Sequence, residues 1–400
     1  MKLIETADRI ANVEEYYFSK KLAEVRGLDT PELRVINLGI GSPDMAPSSA
    51  TTDALIVSAK NSANHGYQNY KGIPALRKSI ADFYKRVYKV SLDTENSILP
   101  LMGSKEGIMH ISMAFVNEGD EVLIPDPGYP TYSSVAKLVG ATIRTYEMKE
   151  ELGWGVDVKA LKKQDLTKVK IMWVNFPHMP TGRIASRNEL KELIDLAREN
   201  QFLIINDNPY SLILNESPLS ILSIEGADEV ALELNSLSKS HNMAGWRIGW
   251  VAGRKEYIEA VLRVKSNMDS GMFLGLQHAA VEALQNGASW FDELNARYRQ
   301  RRDKAQKILS ELGCSYSEKQ SGLFVWAKAP DHVQDVEKWI DEILYGTKVF
   351  ITPGFIFGEG GRRFIRISLC ATVEKLEEAL ERIKKLESAQ SNISNLISNV

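Results

Sequence analysis

Lys239 sits among small hydroxyl residues in the stretch N-S-L-S-K-S-H-N-M-A-G-W-R-I-G-W-V, residues 235–251. Ser236, Ser238 and Ser240 surround it, and Arg247 follows eight positions later in an apolar run between two glycines. A lysine flanked by apolar sequence is a candidate for a depressed pKa, hence for a free amine that attacks a carbonyl. Nearby serines and an arginine are what a phosphate monoester requires. The combination points to an imine between Lys239 and a phosphorylated aldehyde. The competing reading is a solvated surface lysine, one of 49 Lys and Arg residues. Other segments decide between the two.

Those segments recur with one grammar, in which an apolar strand ends in a polar turn. Residues 34–38 run into G-I-G-S-P-D, Gly39 to Asp44, where backbone can approach a ligand closely. Residues 98–102 end in G-S-K-E-G, followed by an apolar helix to Val116. Strand, glycine turn and helix together direct free N–H groups and a helix dipole at an anion, although many such turns hold no ligand. Residues 121–125 deliver D-P-G-Y-P-T-Y, in which two prolines fix Tyr129, and residues 171–174 end in N-F-P-H-M-P-T-G. Residues 202–206 form a continuous apolar strand whose end presents Asp207 and then Tyr210. Polar residues gathered at the C-terminal ends of parallel strands mark the ligand-binding edge of an open α/β sheet. Beyond Gly287 the texture changes. A long charged helix over about 289–312 precedes strands at 323–327, 349–352 and 363–369, the last carrying Arg366 among apolar residues. A closing helix spans 374–387, after which a mostly polar tail is expected to fray.

Composition narrows the class. Four hundred residues imply roughly two domains. Hydrophobic content of 44% and charged content of 25% are those of an ordinary globular protein. A formal charge of −3 disfavours nucleic acid and anionic membrane as partners. Two unpaired-spaced cysteines, Cys314 and Cys370, fit a reducing, cytoplasmic setting. Six scattered histidines offer no metal-ligand spacing, and no apolar run approaches the ~18 residues of a membrane span.

Taken together, the motifs from about Ile36 to Ser368 resemble the class I/II aminotransferases of fold type I, which use pyridoxal phosphate. The resemblance implies an α/β fold. Its large domain, residues 50–287, has a mostly parallel seven-stranded sheet with helices on both faces, and a smaller α+β domain is built from both chain ends, residues 1–49 and 288–400. It also implies a homodimer with shared active sites. Lys239 matches the lysine that carries the cofactor as a Schiff base, and Asp207 the carboxylate on the pyridine nitrogen. A buried anion there keeps that nitrogen protonated and the ring an electron sink. Tyr210 matches the phenol on the ring hydroxyl, and Tyr129 the stacked aromatic. Ser104, Lys105, Ser236, Ser238 and Arg247 match the phosphate site, which Tyr67 reaches from the neighbouring subunit. Arg366 matches the arginine that forks onto the substrate carboxylate, toward which Gly41 offers backbone. By the same resemblance, Asp126–Pro127 and Met179–Pro180 are expected to be cis.

One position departs from the family. Met179 stands where N-P-T-G usually begins, so the amide that touches the ring hydroxyl and steadies the arginine is missing. His178, Asn175 or a water substitutes, or the ring oxygen keeps Tyr210 alone. Met179 itself either packs against cofactor or substrate or fills core. The reaction expected is transamination, with glutamate and 2-oxoglutarate as one pair and aspartate as the first choice for the other. Lys105 supports aspartate if it pairs with a distal carboxylate, and says nothing if it caps the phosphate or faces solvent. Glu15, Tyr16 and Tyr17, placed near the substrate entrance, suit a larger or apolar side chain. Aromatic, sulfur-containing or diaminopimelate-type donors therefore stay open, as does a β-lyase of the cystathionine type on the same fold.

Overall fold

Val169–Val174 (V-K-I-M-W-V) and Ala231–Ser236 (A-L-E-L-N-S) are buried along almost their whole length, as strands covered on both faces must be. The computed structural model describes residues 4–11 and 17–397. Eight strands form its main sheet, in the order Ile98–Leu101, Gly249–Gly253, Ala231–Ser236, Leu203–Asp207, Val169–Val174, Glu121–Asp126, Thr142–Lys149, Gly155–Val156. The four pairings from Ala231–Ser236 to Thr142–Lys149 are parallel. Gly249–Gly253 is antiparallel to both neighbours. The expected count of seven is thus one short. The extra strand is the two-residue edge Gly155–Val156, antiparallel to the end of Thr142–Lys149. Gly153 and Trp154, at φ of 57° and 62°, fold the chain back there. Two residues carry no readable alternation.

Alternate residues of these strands serve two different cores. Leu123, Met172, Val174 and Ile204 pack with Leu190, Leu193 and Ile194 of the helix Arg187–Asn200. Val122, Ile171, Trp173 and Ile205 pack with Ile108, Ile111, Ile258 and Val261 of the helices Ser104–Phe115 and Lys255–Lys265. The period of two thus places helices on both faces. Local sequence sets the helix ends. Ser186 accepts a hydrogen bond from the Glu189 N–H at 3.1 Å, the start of a capping-box pattern, and Gln201 closes the helix in the left-handed region.

A four-stranded antiparallel sheet, Ser315–Tyr316, Phe324–Lys328, Phe364–Ser368, Thr352–Pro353, forms a second layer. The helices Ala288–Glu311, Val336–Thr347 and Val373–Ile397 supply residues to its core. The N-terminal segment joins it. Ile36–Asn37 pairs in parallel with Val349–Phe350, and Leu38 is buried in the same core as Val325 and Ile367. Arg301 of the long helix forks onto Asp44 with N···O distances of 2.7 and 2.8 Å, tying down the 39–44 turn. The closing helix, expected to end near residue 387, continues to Ile397 across a tail without Gly or Pro to stop it.

Candidate active site

The parallel strands end on a cavity of about 370 Å³, within the size range of small-molecule sites. Asp207 is the last residue of Leu203–Asp207 and Ser236 the last of Ala231–Ser236, so strand geometry alone brings them to its wall. Ser104 and Lys105 open the helix Ser104–Phe115 at the end of Ile98–Leu101. Of the residues singled out in the sequence, Gly41, Ser104, Lys105, Tyr129, Asp207, Tyr210, Ser236, Ser238, Lys239, Arg247 and Arg366 all line this one space. Tyr67 and Tyr17 do not. Tyr67 is 94% exposed on the surface of the chain. Tyr17 packs edge-on against Phe355 with ring centroids 5.3 Å apart, while Leu22 of the same helix lines the cavity. Glu15 and Tyr16 lie outside the described residues.

Lys239 donates to the Gly41 carbonyl at 2.5 Å. Enclosure by the cavity wall lowers its pKa, and the cations Arg366 and Arg247 push the same way. A free amine is therefore easier to reach here than on the surface. The Asp207 carboxyl is pushed up to about 7 by burial, against the opposing pull of the Tyr132 hydroxyl and of Lys239. Its Oδ2 accepts from Tyr132 at 3.0 Å, whereas its buried Oδ1 has no protein partner. A buried carboxylate oxygen turned to a cavity and left unpaired asks for a cationic or N–H donor from a ligand. Burial likewise raises the Tyr129 and Tyr210 phenols, keeping both protonated at neutral pH.

One end of the cavity is built by close backbone approach. Gly103, at φ 86°, precedes the helix Ser104–Phe115, and a Cβ on it would meet Arg247 Nη2 at 2.3 Å. Arg247 is itself left-handed, at φ 56°, and donates to the Ala244 carbonyl at 2.9 Å. Ser236 Oγ donates to Ser238 Oγ at 2.9 Å and is 3.0 Å from the Ile248 carbonyl. Hydroxyls, a guanidinium and a helix N-terminus thus converge on one end of the cavity. Arg366 occupies the other end, its guanidinium carbon 3.8 Å from the Phe324 ring centroid and 4.6 Å from that of Phe357.

Sequence reasoning passed over one support of this site. Tyr132 belongs to the quoted D-P-G-Y-P-T-Y run but was given no role, and its stacking on Trp173, centroids 5.1 Å apart, aims the hydroxyl at Asp207. Asn175 spends its amide on the Asp207 carbonyl and accepts from the Met179 N–H at 2.8 Å, so it is committed to the backbone. His178 bonds Thr181 instead, and burial pushes its pKa to about 3. Asp126–Pro127 and Met179–Pro180 are cis as expected, and so is Phe176–Pro177.

A donor set of one enclosed amine, one buried carboxylate with an open oxygen and two arginines at opposite ends fits a phosphorylated pyridine aldehyde. Comparison with known proteins agrees. The family model for aminotransferase class I and II matches residues 34–383. The chain belongs to that family. Aminotransferases of this class depend on pyridoxal phosphate, and the chain is accordingly an aminotransferase using that cofactor. The LL-diaminopimelate aminotransferase of Oleidesulfovibrio alaskensis is 39% identical over 388 residues, covering 95% of this chain and 98% of its own. That of Halothermothrix orenii is 37% identical over 383 residues, with the same coverages. Among solved structures, substrate-bound BacF from Bacillus subtilis superimposes with a TM-score of 0.91 at 32% identity, covering 96% of this chain and 98% of its own. Among the described residues, no helix is long and apolar enough to cross a membrane.

Proposed function

We propose that the chain transfers the amino group of a long-chain α-amino acid of the LL-diaminopimelate kind to a 2-oxo acid, with 2-oxoglutarate as acceptor. The observation that carries the reaction is the placement of Lys239 Nζ, enclosed and pKa-lowered, in one cavity with the open oxygen of Asp207. The donor is taken from the relatives, which are named LL-diaminopimelate aminotransferases, in preference to the aspartate first chosen from sequence.

In this reading, bound pyridoxal phosphate supplies an aldehyde carbon and an electron-withdrawing ring. Asp207 would hold the ring nitrogen protonated, with Tyr132 donating to its carboxylate and Asn175 to its backbone carbonyl to keep it in place. Ser104, Ser236, Ser238 and Arg247 bind the phosphate. Tyr129 would pack against the cofactor ring, and the Tyr210 hydroxyl would donate to it. Arg366 would bind the donor by its α-carboxylate, leaving the α-proton to Lys239 in the same cavity. Lys239 Nζ, once free, takes that proton and later returns one to the acceptor. Water is excluded by Ile40, Phe324 and Met179 in the wall.

We further read residues 50–287 as the cofactor-binding domain and the two chain ends as the smaller one. The chain is read as a cytoplasmic homodimer in which exposed Tyr67 reaches the partner's phosphate site. Its loop packs against the 266–272 loop, where a Cβ on Gly271 would meet the Gln68 and Asn69 carbonyls at 2.7 Å. Exposed Val57, on the helix Ser49–Lys60, and Met268, within the second loop, add apolar surface for such a contact.

A donor screen against 2-oxoglutarate tests the substrate. LL-diaminopimelate is expected to give the highest kcat/KM among it, aspartate, glutamate and phenylalanine, and a higher value for aspartate would overturn the assignment. Lys105→Ala separates the two further. It should cost aspartate far more than diaminopimelate only if Lys105 is a distal-carboxylate contact.

A further inference from the structure

We propose that Met179 is a positioning residue for substrate carboxylates, holding the Arg366 guanidinium through its thioether. Arg366 Nη1 donates to Met179 Sδ at 3.2 Å, while Nη2 donates to the Gly39 carbonyl at 2.8 Å. Both residues are more than nine-tenths buried, and both line the cavity. The aromatic rings of Phe324 and Phe357 hold the guanidinium plane at 3.8 and 4.6 Å. Stacking fixes the plane but leaves rotation within it, and that rotation is fixed by the sulfur on one terminal nitrogen and the carbonyl on the other.

Met179 is placed for this by its own backbone. Its N–H donates to Asn175 Oδ1 at 2.8 Å, and the same Asn175 amide is bonded to the Asp207 carbonyl. The sulfur is therefore referenced to the strand end that carries the cofactor carboxylate, so both ends of the substrate path share one frame. A thioether is a weak acceptor with no hydrogen to donate. It orients the guanidinium without competing strongly with the charge-assisted pair that a carboxylate makes. An unbranched thioether also lets the wall adjust as the arginine moves.

This inference rests on Arg366 being the carboxylate-binding residue, and the experiment separates the two claims. The holoenzyme is compared with Met179→Leu, Met179→Asn and Arg366→Lys. Readouts are the dissociation constant of maleate, which carries no amino group to react, followed by the cofactor absorbance, together with KM, kcat and Tm. Leucine keeps the volume and apolarity but removes the acceptor, and asparagine is smaller and polar but restores one. Met179→Leu should weaken maleate binding and raise KM by about fivefold to tenfold, the scale of one lost hydrogen bond, with kcat within about twofold. Met179→Asn should recover most of that loss. A residue that merely fills core would show the reverse order, with leucine tolerated and asparagine damaging. The proposal is overturned if Met179→Leu binds maleate like the wild type, or if both variants lose affinity in proportion to a fall in Tm. If Arg366→Lys leaves maleate binding unchanged, the assignment of Arg366 fails instead.

Discussion

Lys239 and Gly41, 198 positions apart, meet across the cavity, the ammonium donating to the carbonyl at 2.5 Å. The turn that carries Gly41 is anchored to the second core through Leu38 and through the Asp44–Arg301 pair. Lys239 follows a strand of the large sheet. The reactive amine is thus enclosed where the two packing units face one another, which is also why burial dominates its lowered pKa.

Asp207 gives a pH-dependent prediction for the cofactor-free protein. Its folded pKa of about 7 lies above the ordinary 3.8, so the folded state retains a proton between those values that the unfolded chain has released. Stability from this group is present at low pH and is lost as pH rises from about 4 to about 7. Relative to Asp207→Asn, the wild type should therefore lose roughly 3–4 kcal/mol across that window. Denaturant titrations of both at pH 4, 5.5 and 7 measure it, and parallel curves would contradict it. With cofactor bound, the cationic ring nitrogen holds the carboxylate ionised and the slope should disappear.

Gly103→Ala tests the phosphate end. The new Cβ meets Arg247 Nη2 at 2.3 Å and the backbone stays at φ 86°, so the arginine must move and the helix start is strained. Cofactor affinity should fall about tenfold or more, from the ~1–3 kcal/mol cost of such backbone strain. Equilibrium dialysis reads it directly, and excess cofactor should restore turnover. Unchanged affinity would remove this turn from the phosphate site.

Gly41→Ala probes the opposite end. Its Cβ would lie 2.3 Å from Cζ of Phe324, the ring that supports the Arg366 guanidinium. Displacing that ring should raise KM for the amino donor by about tenfold, with excess cofactor giving no rescue. A variant cured by added cofactor would place the lesion elsewhere.

Much of the site was legible because parallel strands deliver their last residues to one edge. Asp207, Ser236 and Ser104 needed only the strand pattern to be brought together. What sequence could not show were partners set by tertiary packing. The Tyr132–Asp207 and Met179–Arg366 contacts span 75 and 187 residues and have no local signature. The Tyr17–Phe355 contact is of the same kind, joining rings 338 positions apart in the chain. The Gly155–Val156 strand exists only because the Gly153–Trp154 turn returns the chain to its neighbour.

The central claim is that Lys239 Nζ is the amine that holds the cofactor aldehyde. Borohydride reduction of the holoenzyme followed by peptide mass mapping tests it most directly. The account predicts one stable pyridoxyl-phosphate adduct, on the peptide containing Lys239, and none in Lys239→Ala. An adduct on Lys105 or another lysine, or turnover undiminished in Lys239→Ala, would contradict it.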